Sequence, residues 1–360
     1  MNQKILIIGG GNIGTEFACE FAAAGYEVNI YTSRPERFRK QLSIVDSEGT
    51  VLREGTIAMA TDDISLAMAG CLFIFVIVPA FMFASVAQKM LPYIEEGMQI
   101  GVIPGTGGAE FAFADCVRAG AVLFGLQRVP SIARLNEYGS QVCIEGRKKE
   151  LFLASVPAGR AQEAAMLMES VFRTKCTLLP NYLNVTLTPS NPILHTTRLR
   201  TMFGDYREGV IYDHNFLFYE EWTDESSQLL LKCDQELEHM IEIMKEMDLT
   251  HVVPLRIYYE SPDAPAMTAK IRSIKAFHGL RSPMKESEGG WVPDFDSRYF
   301  TADFSYGLAI LIEIAHAVGR AVPCMEETMN WYLDLTGRER TFLLSDAGVH
   351  DLKDIYKFYR

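Results

Sequence analysis

The feature that most constrains the fold is a glycine-rich turn near the start of the chain. A run of strand-forming apolar residues, 4–8, leads directly into Gly9-Gly10-Gly11-Asn12-Ile13-Gly14, and a helical pattern over about 13–24 follows and ends at Gly25. A strand, a Gly-x-Gly-x-x-Gly turn and a helix in this order are typical of a Rossmann-type domain that binds a dinucleotide.

Each residue of the turn has a predicted role toward such a cofactor. Gly9 permits the tight turn, Gly11 lets the backbone approach the pyrophosphate, and Gly14 allows the helix to pack closely on the strand. The first N–H groups of the helix, at Asn12 and Ile13, would face the phosphates. A glycine turn without a ligand is the alternative, and the flanking strand and helix argue against it.

The end of the second predicted strand bears on the choice of cofactor. This strand, near 27–32, runs into Thr32-Ser33-Arg34, and Arg37 follows one turn later. NAD sites usually have an Asp or Glu here to bond the ribose hydroxyls, whereas small polar residues and Arg suit a 2′-phosphate. Ser33 and Arg34 therefore favour NADP, with NAD as the alternative cofactor; a merely solvated Arg34 is the other interpretation.

Strand and helix patterns alternate through residues 1–180, which predicts βαβ units and a parallel sheet. A strand pair around the charged turn 146–149 and a helix near 158–173 are also predicted. The predicted strands lie near 3–8, 27–32, 56–60, 72–78, 98–103, 121–126, 141–145, 150–155 and 176–179. We therefore expect a Rossmann-type α/β domain over residues 1–180.

Residues 64–88 carry no charge, a stretch long enough to span a bilayer. Gly70 and Pro79 divide it into a helix end, a buried strand over 72–78 and a new helix. Central strands of parallel sheets are covered on both faces and are continuously apolar, so the sequence favours a buried strand over a membrane span.

Long helical periods replace this alternation after Pro180. The strongest run over about 224–248 and 303–319, while 281–297 resembles a loop, and no clear strand is found. The sequence thus predicts an all-α domain over residues 181–360, whose apolar helix faces could support a homodimer.

Charge and cysteine content narrow the class of protein. The net charge of −12 argues against nucleic acid or an anionic membrane as the main partner. Seven scattered cysteines with no Cys-x-x-Cys pair predict a reducing cytoplasm and no disulfide framework. Because the glycine turn begins so close to Met1, we expect no signal peptide before it. The histidines show no metal-ligand spacing, so we expect no metal.

Two segments of the second half carry candidate catalytic residues. The first is Ser190-Asn191-Pro192-Ile193-Leu194-His195, and the second runs from Arg298 to Asp303. His195 could transfer a proton near neutral pH, an Asp on its far nitrogen would fix its tautomer, and Arg298 could bind a carboxylate. The alternative is that Asn191-Pro192 starts a helix, Asp303 caps one and Arg298 is solvated.

Taken together, the chain resembles the octopine/nopaline (opine) dehydrogenases over nearly its whole length. The shared elements are the glycine turn, the segment 127–134 followed by Gly139, Asn-Pro-x-x-His at 191–195, Arg-Tyr-x-Thr-x-Asp at 298–303 followed by Gly307-Leu308, and Gly319-x-x-x-Pro323. The resemblance implies that His195 is the acid/base, that Asp303 is its partner and that Arg298 binds a substrate carboxylate. It makes Asn191 and Arg134 candidate substrate contacts.

The resemblance implies a second domain like the C-terminal domain of 6-phosphogluconate dehydrogenase, and a reductive condensation of an amino acid with a 2-oxo acid. Ala302 and Phe304-Ser305 depart from the family pattern, which makes transfer of a particular substrate unsafe. Two alternatives stay open. One is a ketopantoate or 2-hydroxyacid reductase with a catalytic Lys such as Lys232 or Lys245, and the other is a nucleotide-binding sensor without turnover.

Overall fold

The computed structural model describes residues 3–340 and 342–360, which divide into two compact units. The first unit extends to Thr186 and also includes Tyr359–Arg360, and the second is Leu187–Phe358. The strands of the first unit are β1 Lys4–Ile8, β2 Glu27–Tyr31, β3 Gln41–Val45, β4 Val51–Thr56, β5 Met59–Thr61, β6 Cys71–Val76, β7 Gln99–Val102, β8 Val122–Leu126, β9 Ser131–Glu137, β10 Gln141–Arg147, β11 Glu150–Val156 and β12 Lys175–Leu178. Its helices are α1 Asn12–Ala23, α2 Ile64–Met68, α3 Phe83–Met90, α4 Ala109–Ala112, α5 Ala114–Arg118, α6 Gln162–Phe172 and α7 Leu183–Thr186.

An eight-stranded sheet forms the centre of the first unit, in the order β12-β11-β8-β7-β6-β1-β2-β5. The six strands from β8 to β5 are parallel, and only β11 runs antiparallel to its neighbour β8. The central strands β1 and β6 are almost wholly apolar and buried because helices and the second sheet cover their faces. The predicted Rossmann-type α/β fold is confirmed.

The second sheet, β4-β3-β10-β9, packs on the other side of α1, which contacts strands of both sheets. Every residue of α1 from Gly14 to Phe21 is buried, including two acids four residues apart, Glu16 and Glu20. Glu16 accepts a hydrogen bond from Ser131, and Glu20 pairs with Arg147. Burial raises the pKa of Glu16 to about 7, against the opposing effects of Ser131 and Arg147.

Two details of the strand prediction were wrong. Residues 141–145 and 150–155 do not pair, because β10 pairs with β3 and β9 in the second sheet while β11 pairs with β8 and β12 in the first. The strand expected near 56–60 is two short strands in different sheets, β4 and β5. Hydrogen-bond partners are chosen by the tertiary fold, which local patterns do not contain.

The uncharged stretch 64–88 contains α2, the buried strand β6 and the start of α3. In the described ranges 3–340 and 342–360, no helix is both long enough and apolar enough to cross a membrane.

The second unit is helical, as predicted, apart from one short hairpin. Its helices are α8 Ser190–Met202, α9 Asp224–Ile241, α10 Leu255–Tyr258, α11 Ala264–Ser273, α12 Arg298–Thr301, a π-helix Asp303–Leu308, α13 Ala309–Ala317, α14 Pro323–Thr336 and α15 Leu352–Tyr359. The hairpin, β13 Met284–Ser287 and β14 Gly290–Pro293, lies where a loop was predicted. β13 is mostly exposed and β14 is mostly half-buried, so they lack the apolar alternation that would have indicated them. The helix predicted to run to 248 ends at Ile241.

Candidate active site

The glycine turn has the geometry that a dinucleotide needs. Gly9 has a φ of +113°, and a side chain there would overlap the carbonyl oxygen of Ile77. A side chain at Gly14 would overlap the carbonyl oxygen of Gly9, so this glycine allows α1 to approach β1. Gly11 is different, because it is exposed and no protein atom lies near the position of its missing Cβ. The space beside Gly11 is therefore open to a ligand.

Asn12 and Ile13 form the first turn of α1, whose N-cap is Gly11. A glycine cap has no side chain to accept hydrogen bonds from the first N–H groups of a helix, which leaves them available to an anion. The side-chain oxygen of Asn12 accepts from the backbone N–H of Leu135 at 3.0 Å and ties the turn to β9.

Polar and basic groups surround the end of β2. Ser33 and Arg34 are exposed, and Thr32 is buried with its hydroxyl 3.2 Å from that of Tyr138. The guanidinium of Arg37 lies over the Tyr138 ring, 5.1 Å from its centre. Tyr138 was missed in the sequence because a single tyrosine between β9 and β10 follows no motif. Two arginines, Arg34 and Arg37, therefore follow the end of β2, where the sequence predicts the binding of a 2′-phosphate.

His195 lies in the second turn of α8, buried in the second unit. Its Nδ1 is 2.8 Å from Oδ2 of Asp303, 108 residues further along the chain. The side chains of His195 and Asp303 are 6% and 16% exposed, so water competes little for this contact. A carboxylate can only accept, so Nδ1 carries the proton and Nε2 is the basic nitrogen of the neutral ring.

A close helix contact brings the two motif segments together. Pro192 in the first turn of α8 packs on Gly307 of the π-helix, and a Cβ at Gly307 would be only 3.1 Å from the proline ring. Asp303 is the first residue of that π-helix. Single π-helical turns are rare and often mark functional sites. The glycine and the proline therefore explain why the two motifs occur together, since their contact aligns His195 with Asp303.

Tyr219 is the main residue that sequence reasoning missed. Its hydroxyl lies 2.9 Å from Nε2 of His195, so both ring nitrogens of the histidine have a partner. The tyrosine ring stacks on Phe277 with centroids 4.1 Å apart and is nearly parallel to Trp222. Burial raises the pKa of Tyr219 well above 10, which keeps the phenol protonated at neutral pH.

A buried arginine fixes the segment that carries Tyr219. Arg198, one turn after His195 on α8, donates to the carbonyl oxygens of Phe218 at 3.1 Å and Glu221 at 2.7 Å. Burial lowers its pKa to about 10, so the guanidinium stays charged at neutral pH. The helix that carries His195 therefore also holds the partner of its second nitrogen.

The predicted carboxylate ligand, Arg298, is exposed at the start of α12. Its guanidinium lies over the ring of Tyr299, 5.6 Å from the centroid, and that ring in turn packs on His195 at 4.6 Å. Arg298 is thus a solvent-accessible cation, linked to His195 through the ring of Tyr299.

The remaining predicted residues lie in different parts of the fold. Asn191 is exposed in the first turn of α8. Arg134 is a half-buried residue of β9 in the first unit and donates to the carbonyl oxygen of Ala133. In the part of the chain that the structure describes, no group of three or more His, Cys, Asp or Glu side chains is placed to hold a metal ion.

Comparison with known proteins places both units. Residues 178–336 match the family of NAD/NADP octopine/nopaline dehydrogenases through its alpha-helical domain, and residues 5–150 match the ketopantoate reductase family PanE/ApbA. The octopine dehydrogenase of Pecten maximus and the opine dehydrogenase of Haliotis discus hannai are each 28% identical, over 94% of this chain and 92% of theirs. The chain is thus similar to octopine and opine dehydrogenases over almost its whole length.

Solved opine dehydrogenase structures share the fold. An octopine dehydrogenase determined with NADH and L-arginine superimposes with a TM-score of 0.85 at 23% identity, covering 98% of both chains. The residues His195, Arg298 and Asp303 all fall within the matched alpha-helical domain. These similarities indicate an NAD(P)-dependent oxidoreductase that acts on CH–NH bonds.

Proposed function

We propose that the protein is an opine dehydrogenase that condenses an amino acid with a 2-oxo acid and reduces the resulting imine to a secondary-amine dicarboxylate. The observation that carries this proposal is the buried His195–Asp303 pair beside the exposed Arg298, within a chain similar to opine dehydrogenases. We assign acid/base catalysis to His195, its orientation to Asp303 and binding of a substrate carboxylate to Arg298. Asn191 and Arg134 are proposed as further substrate contacts.

The cofactor would be held by the first unit, and we propose residues 1–180 as its domain and 181–360 as the substrate domain. Gly9, Gly11 and Gly14 shape the turn, and the N–H groups of Asn12 and Ile13 would receive the pyrophosphate. Ser33 and Arg34 support NADPH as the preferred form, with NADH as the alternative. When bound, the reduced nicotinamide supplies the hydride.

The protein's own residues supply proton transfer and orientation. An amino acid arrives with an ammonium group, which must lose a proton before it can attack the oxo carbon. The carbinolamine that forms must then gain a proton on its hydroxyl so that water can leave. Neutral His195 can take the first proton and its imidazolium can return the second, while Asp303 stabilises the charged ring. Arg298 would hold the oxo-acid carboxylate by a bidentate contact.

The test is oxidation of NADPH and of NADH with a panel of 2-oxo acids, each with and without a panel of amino acids. Oxidation that requires both substrates is expected, and it would name them. Oxidation with the oxo acid alone would instead favour a single-substrate reductase of the ketopantoate kind. Tight NADPH binding without any oxidation would favour a sensor. A preference for NADH would contradict the assignment of Arg34.

Small molecules are thus the proposed partners. A cytoplasmic location and a homodimer stay predictions, which fractionation and light scattering would test.

A further inference from the structure

We propose that Tyr219 relays the proton between His195 and the substrate, so that the catalytic unit is a chain of three groups, Asp303, His195 and Tyr219. The proposal rests on the proposed function and adds to it the atom from which the substrate receives its proton. Its starting point is that each ring nitrogen of His195 has a hydrogen-bond partner within the protein. Nδ1 meets Asp303 at 2.8 Å and Nε2 meets the Tyr219 hydroxyl at 2.9 Å.

The direction of these hydrogen bonds follows from the chemistry of the groups. Nδ1–H donates to the Asp303 carboxylate, so Nε2 accepts from the Tyr219 hydroxyl when the ring is neutral. When the ring is protonated, Nε2–H donates to the phenol oxygen, and the phenol O–H becomes free to donate elsewhere. A hydroxyl is both a donor and an acceptor, so it can receive one proton and release another without moving.

The surroundings of Tyr219 favour transfer through the hydroxyl over displacement of the side chain. Tyr219 is 5% exposed and its ring is stacked on Phe277, while Phe218 packs edge-on at 4.9 Å. Arg198 holds the backbone on both sides through Phe218 and Glu221. Because the backbone is held, uncovering Nε2 would require the Tyr219 ring to leave its stacking contact with Phe277, whereas a relay leaves that contact in place.

The proton balance closes over the condensation. In the first step the ammonium N–H passes its proton to the phenol oxygen, while the phenol O–H passes its proton to Nε2 and yields imidazolium. The free amine then attacks the oxo carbon, so that the C–N bond forms as the C=O π bond breaks, and one proton passes from nitrogen to oxygen to give the neutral carbinolamine. In the second step, imidazolium returns a proton through the phenol to the carbinolamine hydroxyl; the C–O bond breaks, water leaves and the nitrogen lone pair forms the C=N bond of the protonated imine. The phenol is neutral before and after each step. The raised pKa of Tyr219 agrees with this, because no tyrosinate has to accumulate.

The variant that tests the relay is Tyr219→Phe, which keeps the ring and removes only the hydroxyl. The matched control is Tyr206→Phe, which removes a phenol from another aromatic cluster of the second unit, against Tyr212 and Phe295. We expect kcat of Tyr219→Phe to fall by about 10²-fold or more, with KM for the cofactor and the melting temperature unchanged. Tyr206→Phe should retain wild-type kcat.

A proton inventory in H₂O/D₂O mixtures separates a relay from a structural role. The wild-type rate should depend on the deuterium fraction with curvature, because two protons move together, and the residual rate of Tyr219→Phe should depend on it linearly. Wild-type or higher kcat in Tyr219→Phe would show that the phenol is merely displaced and would overturn the proposal. A lower kcat with unchanged curvature would reduce Tyr219 to a positioning residue and would overturn the relay as well.

A measurement without substrate keeps the relay distinct from the proposed function. In ¹⁵N-histidine-labelled protein, Tyr219→Phe should shift the Nε2 resonance of His195 toward that of a free unprotonated nitrogen and leave His214 unchanged. No shift would mean that the hydrogen bond is absent and that the relay fails, whatever the substrates are. If Nε2 shifts but turnover needs no amino acid, the proposed condensation fails, and the inventory is then measured with the oxo acid alone.

Discussion

Two histidine–aspartate pairs in the second unit have nearly the same local geometry. Nδ1 of His195 is 2.8 Å from Asp303, and Nδ1 of His214 is 2.6 Å from Asp213. Each Nε2 also has a partner, the Tyr219 hydroxyl at 2.9 Å and the Glu221 carboxylate at 3.4 Å. The difference is burial, since the His195 side chain is 6% exposed and the His214 side chain 51%.

This difference separates the pair that we propose as catalytic from a surface pair. Water competes for every hydrogen bond of His214, and the high dielectric weakens its attraction to Asp213. The Asp213–His214 contact joins neighbours in sequence and requires no packing between distant elements. The His195–Asp303 contact exists only when α8 and the π-helix pack together, so the complete fold determines it. Proximity of the two groups is therefore not sufficient evidence of a site.

The largest expected effect is that of removing His195, and the removal of His214 is its control. His195→Ala should lower kcat by about 10³-fold or more, because the relay through Tyr219 then has no group to accept and return the substrate's protons. His214→Ala should leave kcat within about twofold of wild type. Cofactor affinity, measured by fluorescence titration, should be unchanged in both variants because the glycine turn is intact. An active His195→Ala variant would remove His195 from the mechanism.

Replacing the aspartate of each pair tests the same comparison with a smaller change of structure, because the histidine is kept. Asp303→Asn should lower kcat by about 10²- to 10⁴-fold, because an amide can donate to Nδ1 and favour the wrong tautomer. Asp213→Asn should have no measurable effect on kcat. Steady-state kinetics with saturating substrates decide this. Equal losses in the two variants would mean that burial does not distinguish the pairs.

Two arginines of α8 extend the comparison to stability. Arg198→Gln should lower the free energy of unfolding by about 3 kcal/mol, because it leaves the buried carbonyls of Phe218 and Glu221 without their charged donor. Arg200→Gln should cost less than about 1 kcal/mol, because its partner Glu327 is 3.8 Å away and 76% exposed. Urea denaturation of the two variants measures the difference. If both variants lose the same free energy of unfolding, Arg198 does not hold this segment in the way we infer.

The smallest effect concerns the titration of His214. The hydrogen bonds that His214 donates to Asp213 and then to Glu221 raise its pKa above 6.5. A raised pKa means that the pair stabilises the fold below pH 6.5 and that this contribution is lost as the pH rises through the folded-state pKa. Asp213→Asn should bring the pKa of His214 back toward 6.5, and added salt should do so partly in the wild type. An NMR titration that finds no change in Asp213→Asn would contradict the assigned cause.

The sequence was sufficient to predict the elements with strong local signals. The apolar strands of the large sheet and the glycine turn before α1 each follow a pattern that physical chemistry makes specific. The two motifs around His195 and Asp303 were singled out through the resemblance to the opine dehydrogenases, because their residues alone also fit the start and the cap of a helix. The second sheet was only partly predicted, because β4 is mostly exposed and lacks the alternation of a half-buried strand. Tyr219 lies in a turn 24 residues after His195, and no spacing rule connects the two.

The buried charges of the first unit were missed for a similar reason. Glu16 and Glu20 occur at helical spacing and would normally mark a solvated face of α1. They are buried because the second sheet covers this face and supplies Ser131 and Arg147. That sheet combines β3 and β4 with strands almost a hundred residues later, so only the folded chain shows what α1 faces.

The π-helix at 303–308 also has a consequence for how this chain can tolerate insertions and deletions. Each residue of an α-helix turns the chain by about 100°, so removing one residue between Asp303 and Gly307 would convert the wide turn into a regular one. The helix itself would become more ordinary, but Asp303 and Arg298 would rotate away from His195 by that angle. We therefore expect that alignments of relatives preserve the number of residues in this segment even where their identities differ.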